Sequence, residues 1–132
     1  MQLWNNSGAT ADWLEPRAGE LVTIEACTSP VEPGQFVRVV YRVGDGKPET
    51  RSATWVQNRD SISYWRVSLG PFNKGDQVEY WLEGAADDLT ITAAGSAFEV
   101  APRLWLALLW HQHQPLYRDM SKSDARGAYL RP

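Results

Sequence analysis

The chain has 132 residues, of which 43% are hydrophobic and 22% are charged, and its formal net charge is −3. This length and composition predict one ordinary domain plus a little more, and they exclude wholesale disorder. The slightly negative charge excludes the basic surface that nucleic acid or an anionic membrane requires, so we expect neither as a partner.

The opening residues and the single cysteine bear on location and redox state. MQLWNNSGATADW lacks the basic and then apolar pattern of a signal peptide, which predicts a cytoplasmic protein. Cys27 has no second cysteine with which to form an intrachain disulfide. We therefore expect it to be a small buried side chain in a strand. No cofactor is expected.

Short segments of alternating hydrophobicity, separated by turn signals, fill the first hundred residues. No stretch of this region has sustained helical periodicity. About seven short strands with turn signals every 8–12 residues predict an all-β, immunoglobulin-like antiparallel β-sandwich over residues 1–102. After a loose arm with one short strand at 1–18, the strands are predicted at 20–28, 35–43, 50–57, 61–69 and 77–83, with a last one that is interrupted around Ala94-Gly95 and runs to Val100.

The alternation also assigns the tryptophans to faces. Trp81 points outward between two glutamates, and Trp55 is the next outward candidate. Trp65 shares the apolar face of its strand and is assigned to the core. Because sugar rings stack on flat, exposed aromatic faces, Trp81 and Trp55 are candidate sugar-stacking residues. The competing interpretation is that both are buried against another domain or under a loop, as large aromatic side chains usually are.

A continuous apolar run at 104–110 is followed at once by His111, Gln112, His113, Gln114 and Pro115. The run is too short to span a membrane, and it predicts a strand buried on both faces, which is typical of parallel sheets covered by helices. Two histidines at i and i+2 after such a strand point to the same side. The ends of such strands are where α/β sheets and barrels carry their chemistry.

The segment LALLWHQHQPLY, residues 106–117, resembles the first conserved motif of glycoside hydrolase family 57. The resemblance implies that residues 103–132 are the truncated first strand and following loop of a (β/α) barrel in an α-glucan-active enzyme. It also implies a retaining mechanism with two carboxylates. In the family both carboxylates lie far downstream, so no catalytic residue is expected in this chain. By position, His111 and His113 would line a sugar subsite and Gln114 would shape its loop, so all three are assigned to substrate binding in the full-length enzyme.

Three functions remain open on these observations. The first is a non-catalytic N-terminal accessory domain of an α-glucan-active glycoside hydrolase or transferase, whose partner is the catalytic domain of the same polypeptide. The second is an α-glucan-binding module that uses the outward tryptophans. The third is the leader domain of a metal-dependent, amidohydrolase-like enzyme, because His-x-His after a first barrel strand also begins a metal cluster there.

The metal interpretation lacks ligands within the sequence. A metal would require at least a third protein ligand beside His111 and His113, and neither Cys27 nor the aspartates near the C-terminus supply a convincing one, so no metal site is predicted.

The apolar run at 104–110 would lack its neighbouring strands in this chain. We therefore expect residues 104–110 to associate with an edge or face of the sandwich, to pair with another copy of the chain or to be disordered.

Overall fold

A computed structural model describes residues 1–7 and 15–107 in full and the backbone of residues 117–118 and 129–130. All regular structure within these ranges is β, and they contain no helix that is long and apolar enough to cross a membrane. The strands are β1 Gln2–Asn5, β2 Val22–Ser29, β3 Phe36–Val43, β4 Glu49–Ser52, β5 Thr54–Arg59, β6 Ile62–Leu69, β7 Gln77–Ala86, β8 Leu89–Glu99, β9 Tyr117–Arg118 and β10 Tyr129–Leu130.

The first eight strands form two four-stranded antiparallel sheets. The first sheet has the order β1-β2-β6-β5, and the second has the order β4-β3-β7-β8. Strands β9 and β10 pair with each other in a separate two-stranded ladder. The predicted all-β class with two antiparallel sheets is therefore confirmed. The order β1-β2-β6-β5 corresponds to the A-B-E-D sheet of an immunoglobulin-like sandwich, and β3, β7 and β8 correspond to its C, F and G strands, with β4 as an additional edge strand.

One hydrophobic core lies between the two sheets. Alternate residues of β2 and β6 meet alternate residues of β3 and β7, as the period of two requires. The predicted inward set of β7 is confirmed, since Val78, Tyr80 and Leu82 are 1%, 3% and 0% exposed. Trp65 also lies in the core, as predicted, and its indole N–H donates a hydrogen bond of 3.0 Å to Oγ1 of Thr28.

The single strand predicted at 50–57 is wrong, because the chain divides there between the two sheets. Glu49–Ser52 pairs with β3, whereas Thr54–Arg59 pairs with β6. Ala53 is the crossing point, and its backbone N–H donates to the carbonyl oxygen of Val37 at 2.8 Å. The sandwich therefore has eight strands where about seven were predicted. A continuous alternation of polar and apolar residues does not indicate which sheet a strand joins.

The short strand predicted in the N-terminal arm is β1, and hydrogen bonds connect it to both sheets. The amide of Asn5 donates to the hydroxyl oxygen of Tyr80 at 2.7 Å, from the first sheet to the second. Ser7 is 3% exposed, and its Oγ accepts the backbone N–H of Glu25 at 2.9 Å. The first residues are therefore part of the folded sandwich.

The strand predicted at 104–110 does not form over residues 104–107. Val100 is buried and Ala101 pairs with Arg17, but residues 102–107 have no regular structure. Leu104, Trp105 and Leu106 are 72%, 81% and 85% exposed. A buried strand forms only where neighbouring strands satisfy its backbone groups, and no described strand pairs with residues 104–107. Residues 108–110 lie outside the described ranges, so the barrel strand and the boundary at residue 102 stay predictions.

A β-bulge interrupts the pairing of β7 with β8. Tyr80 pairs with Ser96 and Leu82 pairs with Ala93, so Ala94 and Gly95 together lie opposite Trp81. A Cβ atom at Gly95 would lie 1.9 Å from the carbonyl oxygen of Tyr80. No side chain fits there without movement of the backbone. The interruption predicted around Ala94-Gly95 is therefore this bulge.

We expect Gly95→Ala to lower the free energy of unfolding by at least about 2 kcal/mol, since the added methyl group forces two paired strands apart. Urea unfolding followed by tryptophan fluorescence measures the difference. The adjacent substitution Ala94→Ser is the matched control, because Ala94 is exposed and the change should cost less than about 0.5 kcal/mol. Equal stability of the two variants would contradict the bulge geometry.

Candidate functional site

The outer face of the second sheet carries Trp81 between two arginine–glutamate pairs, and we call this surface the Trp81 face. Nε of Arg38 donates to Oε2 of Glu83 at 2.7 Å. Nη2 of Arg42 lies 2.7 Å from Oε2 of Glu79. Each arginine on β3 is the cross-strand neighbour of its glutamate on β7, so the strand register creates both pairs.

Trp81 points outward as the alternation predicts, but its ring is partly covered. The indole is half-buried, and its N–H lies 3.4 Å from Oε1 of Glu83, a long hydrogen bond. Val40, its neighbour on β3, is only 7% exposed although it also faces outward. The Trp81 face is therefore a small apolar centre with charged pairs around it.

Trp55 lies on β5, the edge strand of the first sheet. Its side chain is 52% exposed, and its indole N–H donates to Oδ1 of Asn58 at 2.8 Å. The ring lines an open cleft of about 600 Å³, which we call the Trp55 cleft. Arg51, Thr54, Val56, Arg66 and Ser68 also line this cleft. A half-exposed ring beside polar groups that donate and accept is chemically suited to a sugar.

The structure places the two candidate tryptophans on different sheets. Trp81 belongs to β7 in the second sheet, and Trp55 belongs to β5 in the first. Trp55 pairs directly with the core residue Trp65, so it lies at the rim of the inner face and not on an outer face. One binding site cannot use both rings, and Trp55 is the more exposed of the two.

A smaller pocket of about 210 Å³ lies on the outer face of the first sheet, and we call it the Glu25–Arg66 pocket. Its residues carry no distinctive sequence pattern, because the alternation identifies Glu25 only as a polar residue of its strand. Arg66 is the cross-strand neighbour of Glu25. This contact depends on the strand register, which no local sequence pattern predicts. The described lining residues include Asn6, Glu25, Val56, Gln57, Tyr64 and Arg66.

Cys27 is free and buried, as predicted, at 1% exposure. It lies between Trp4 and Tyr64 in the register of the first sheet. Burial, and secondly the charge of Glu25, raises the pKa of the Cys27 thiol to about 11. Because the thiolate is the reactive form, this cysteine is not a nucleophile at neutral pH.

The predicted substrate-binding residues His111, His113 and Gln114 lie outside the described residues. Within the residues that are described, no group of three or more histidine, cysteine, aspartate or glutamate side chains is arranged to hold a metal ion.

Comparison with known proteins gives a consistent group of relatives. No family model matches the chain. The isomaltosyltransferase of Sporosarcina globispora is 33% identical over 73 residues, which are 55% of this chain and 7% of that protein. The cycloalternan-forming enzyme from Listeria monocytogenes, solved in complex with a pentasaccharide substrate, matches 65% of this chain and 8% of its own with 31% identity and a TM-score of 0.61.

An uncharacterized protein from Listeria monocytogenes EGD-e, solved with α-D-glucose, β-D-glucose, magnesium and calcium, matches equally well. It is 31% identical, with a TM-score of 0.62 over 65% of this chain and 8% of that one. The chain thus spans less than a tenth of the length of each of these relatives. In each of them the matching section is a small part of a much longer polypeptide.

These relatives show that the resemblance to glycoside hydrolase family 57 is wrong. They are an isomaltosyltransferase and a cycloalternan-forming enzyme, and no model of family 57 matches. The resemblance depended on an apolar run and five following residues, HQHQP. Such a short motif is weak support, because hydrophobic strands that end in histidines serve unrelated chemistries. The relation to carbohydrate-active enzymes in general is supported.

We expect the folded chain to react with a disulfide reagent such as dithionitrobenzoate at pH 8 at least about a hundredfold more slowly than the chain in urea, because the raised pKa suppresses the thiolate and burial blocks access. Release of the coloured thiolate measures the rate. Cys27→Ser removes the only cysteine and should abolish the reaction. Labelling of the folded chain at the rate of a free thiol would show that Cys27 is accessible.

Proposed function

We propose that the sandwich is an immunoglobulin-like accessory domain, itself non-catalytic, of an enzyme that transfers glycosyl groups of α-glucans. The observation that carries the proposal is the likeness, in sequence and in structure, to one section of an isomaltosyltransferase and of a cycloalternan-forming enzyme. The matching section is 7% or 8% of those proteins. A folded domain of this size is large enough to form an interface that supports or orients a catalytic domain.

The chemistry of the described surface supports a role without catalysis. Glycosidic bond cleavage uses two carboxyl groups on either side of the scissile bond. Three carboxylates of the outer faces, those of Glu25, Glu79 and Glu83, each bind an arginine. A carboxylate that is paired with an arginine is suited to contact another domain or a ligand, which is a binding role and not a catalytic one.

A second candidate function is α-glucan binding by the sandwich itself, and the exposure of Trp55 favours it. Half of this ring is accessible, and it lines the Trp55 cleft together with serine, threonine and arginine side chains. Aromatic rings provide large contact area at low cost in conformational entropy. Trp81, half-buried and partly covered, is the weaker platform.

Exchange of domains tests the accessory function. We expect the S. globispora isomaltosyltransferase to keep transferase activity when its matching section is replaced by the sandwich of this chain. Deletion of that section should lower activity or thermal stability, because an accessory domain stabilises its enzyme through the interface between the two domains. Product analysis by chromatography and thermal unfolding measure both. A deletion variant as active and as stable as the intact enzyme would contradict the proposal. This chain by itself should form no product from α-glucans.

Titration with isomaltooligosaccharides and maltooligosaccharides tests the binding function. We expect a saturable change in tryptophan fluorescence at millimolar sugar, and Trp55→Ala should weaken the affinity about tenfold, since stacking on the ring is lost. Trp81→Ala is the comparison on the opposite sheet. Loss of binding with Trp81→Ala and not with Trp55→Ala would place the sugar on the Trp81 face. Unchanged fluorescence of the unsubstituted chain would argue against binding.

A further inference from the structure

The Glu25–Arg66 pocket has the size, walls and charge of a subsite for one sugar ring. We propose that it binds a single neutral glucosyl unit of an α-glucan. This inference rests on the α-glucan-related function proposed above and goes beyond it by naming a site that neither candidate tryptophan occupies. Three strands of the first sheet, β2, β5 and β6, contribute to the pocket together with Asn6, which follows β1.

A bulge in the edge strand builds one wall. Trp55 pairs with Trp65 and Gln57 pairs with Tyr64, so Val56 is an extra residue on β5. A bulge of this kind bends its strand and re-aims side chains. Val56 and Gln57 consequently both lie beside Tyr64 at the pocket. The wall combines an aliphatic group, an amide and the half-buried Tyr64, which suits a ligand with apolar faces and polar edges.

The Glu25–Arg66 ion pair that lines the pocket presents free hydrogen-bonding groups. Nη2 and Nε of Arg66 lie 2.8 and 3.2 Å from the same oxygen, Oε1 of Glu25. No described residue donates to the other oxygen, Oε2. A sugar hydroxyl both donates and accepts, so adjacent hydroxyls can donate to Oε2 and accept from the remaining N–H groups of the guanidinium.

Charge determines the class of ligand. Arg66 is neutralised by Glu25, whose side chain is only 21% exposed, so the pocket has no net charge. An anion such as phosphate gains little from an arginine that a carboxylate already holds, and it is repelled by that carboxylate. A neutral polyol meets no such penalty. The chemistry therefore favours a sugar over a phosphate group.

The volume and the surroundings determine the length of the ligand. About 210 Å³ is below the range of roughly 300–1,000 Å³ that drug-sized ligands occupy, so the pocket accommodates one ring. The pocket and the Trp55 cleft share Val56 and Arg66 as lining residues. The next sugar of a chain would thus lie toward Trp55, and the two concavities form one continuous surface around β5.

Titration of the full, isotope-labelled chain with isomaltotriose and with maltotriose, followed by amide chemical shifts, tests the inference. We expect the largest shifts at Asn6, Gln57 and Tyr64. Gln57→Ala and Arg66→Ala should each weaken the affinity about tenfold, because each removes a hydrogen bond to the ring. Arg42→Ala is the matched control, since it removes an exposed arginine from an equivalent ion pair on the other sheet and should leave the affinity unchanged.

Three results would overturn the inference. They are shifts confined to the Trp81 face, an affinity that Gln57→Ala and Arg66→Ala both leave unchanged, and binding of inorganic phosphate in preference to sugar. The domain exchange described above separates this failure from that of the accessory function. If the exchanged enzyme is active while the pocket amides do not respond to sugar, only the pocket assignment fails. If the pocket binds sugar while the exchanged enzyme is inactive, only the accessory function fails.

Discussion

The structure depends on the meeting of two apolar faces, one from each sheet. Ile24 and Leu69 from the first sheet and Val39 and Leu82 from the second are all 0% exposed and fill one core. Burial of apolar side chains is the main favourable term in folding, so this core fixes which residues of each strand face inward. It thereby also fixes which face outward, because a slip of one residue would reverse every side chain. The Trp81 face and the Glu25–Arg66 pocket are consequences of that choice.

Two departures from the regular period lie next to candidate surfaces. The bulge at Gly95 lies opposite Trp81, and the bulge at Val56 lies between Trp55 and the Glu25–Arg66 pocket. A bulge interrupts the hydrogen-bonded ladder between two strands, but it also bends the strand and changes the direction of its side chains. A regular edge strand would present an even row of groups to solvent. The irregular edge at β5 instead creates concave surface, which a flat sheet does not offer.

Local patterns in the sequence predict much of the framework and little of the site. The inward row Val78, Tyr80 and Leu82, the core position of Trp65 and the interruption at Gly95 all follow from short-range alternation and from residue type. The division at Ala53 does not, since the choice of sheet depends on partners that are distant in sequence. The pairing of Arg66 with Glu25, 41 residues apart, is equally non-local. The family assignment failed for a related reason, because a few consecutive residues carry less information than a whole domain.

The three arginine–glutamate pairs explain why the outer faces suit neutral partners. Exposed ion pairs contribute only about 0–1 kcal/mol each to stability, so these pairs do little to hold the sheets together. Their effect on the charge and the hydrogen-bonding groups of the surface matters more than their effect on stability. Each pair keeps a guanidinium and a carboxylate at a fixed place with no net charge, beside Trp81 on one sheet and beside Tyr64 on the other. Such a surface has many hydrogen-bonding groups and little attraction for ions. It therefore offers hydrogen bonds to hydroxyl-rich, uncharged molecules, which is the property that the proposed role in an α-glucan enzyme would use.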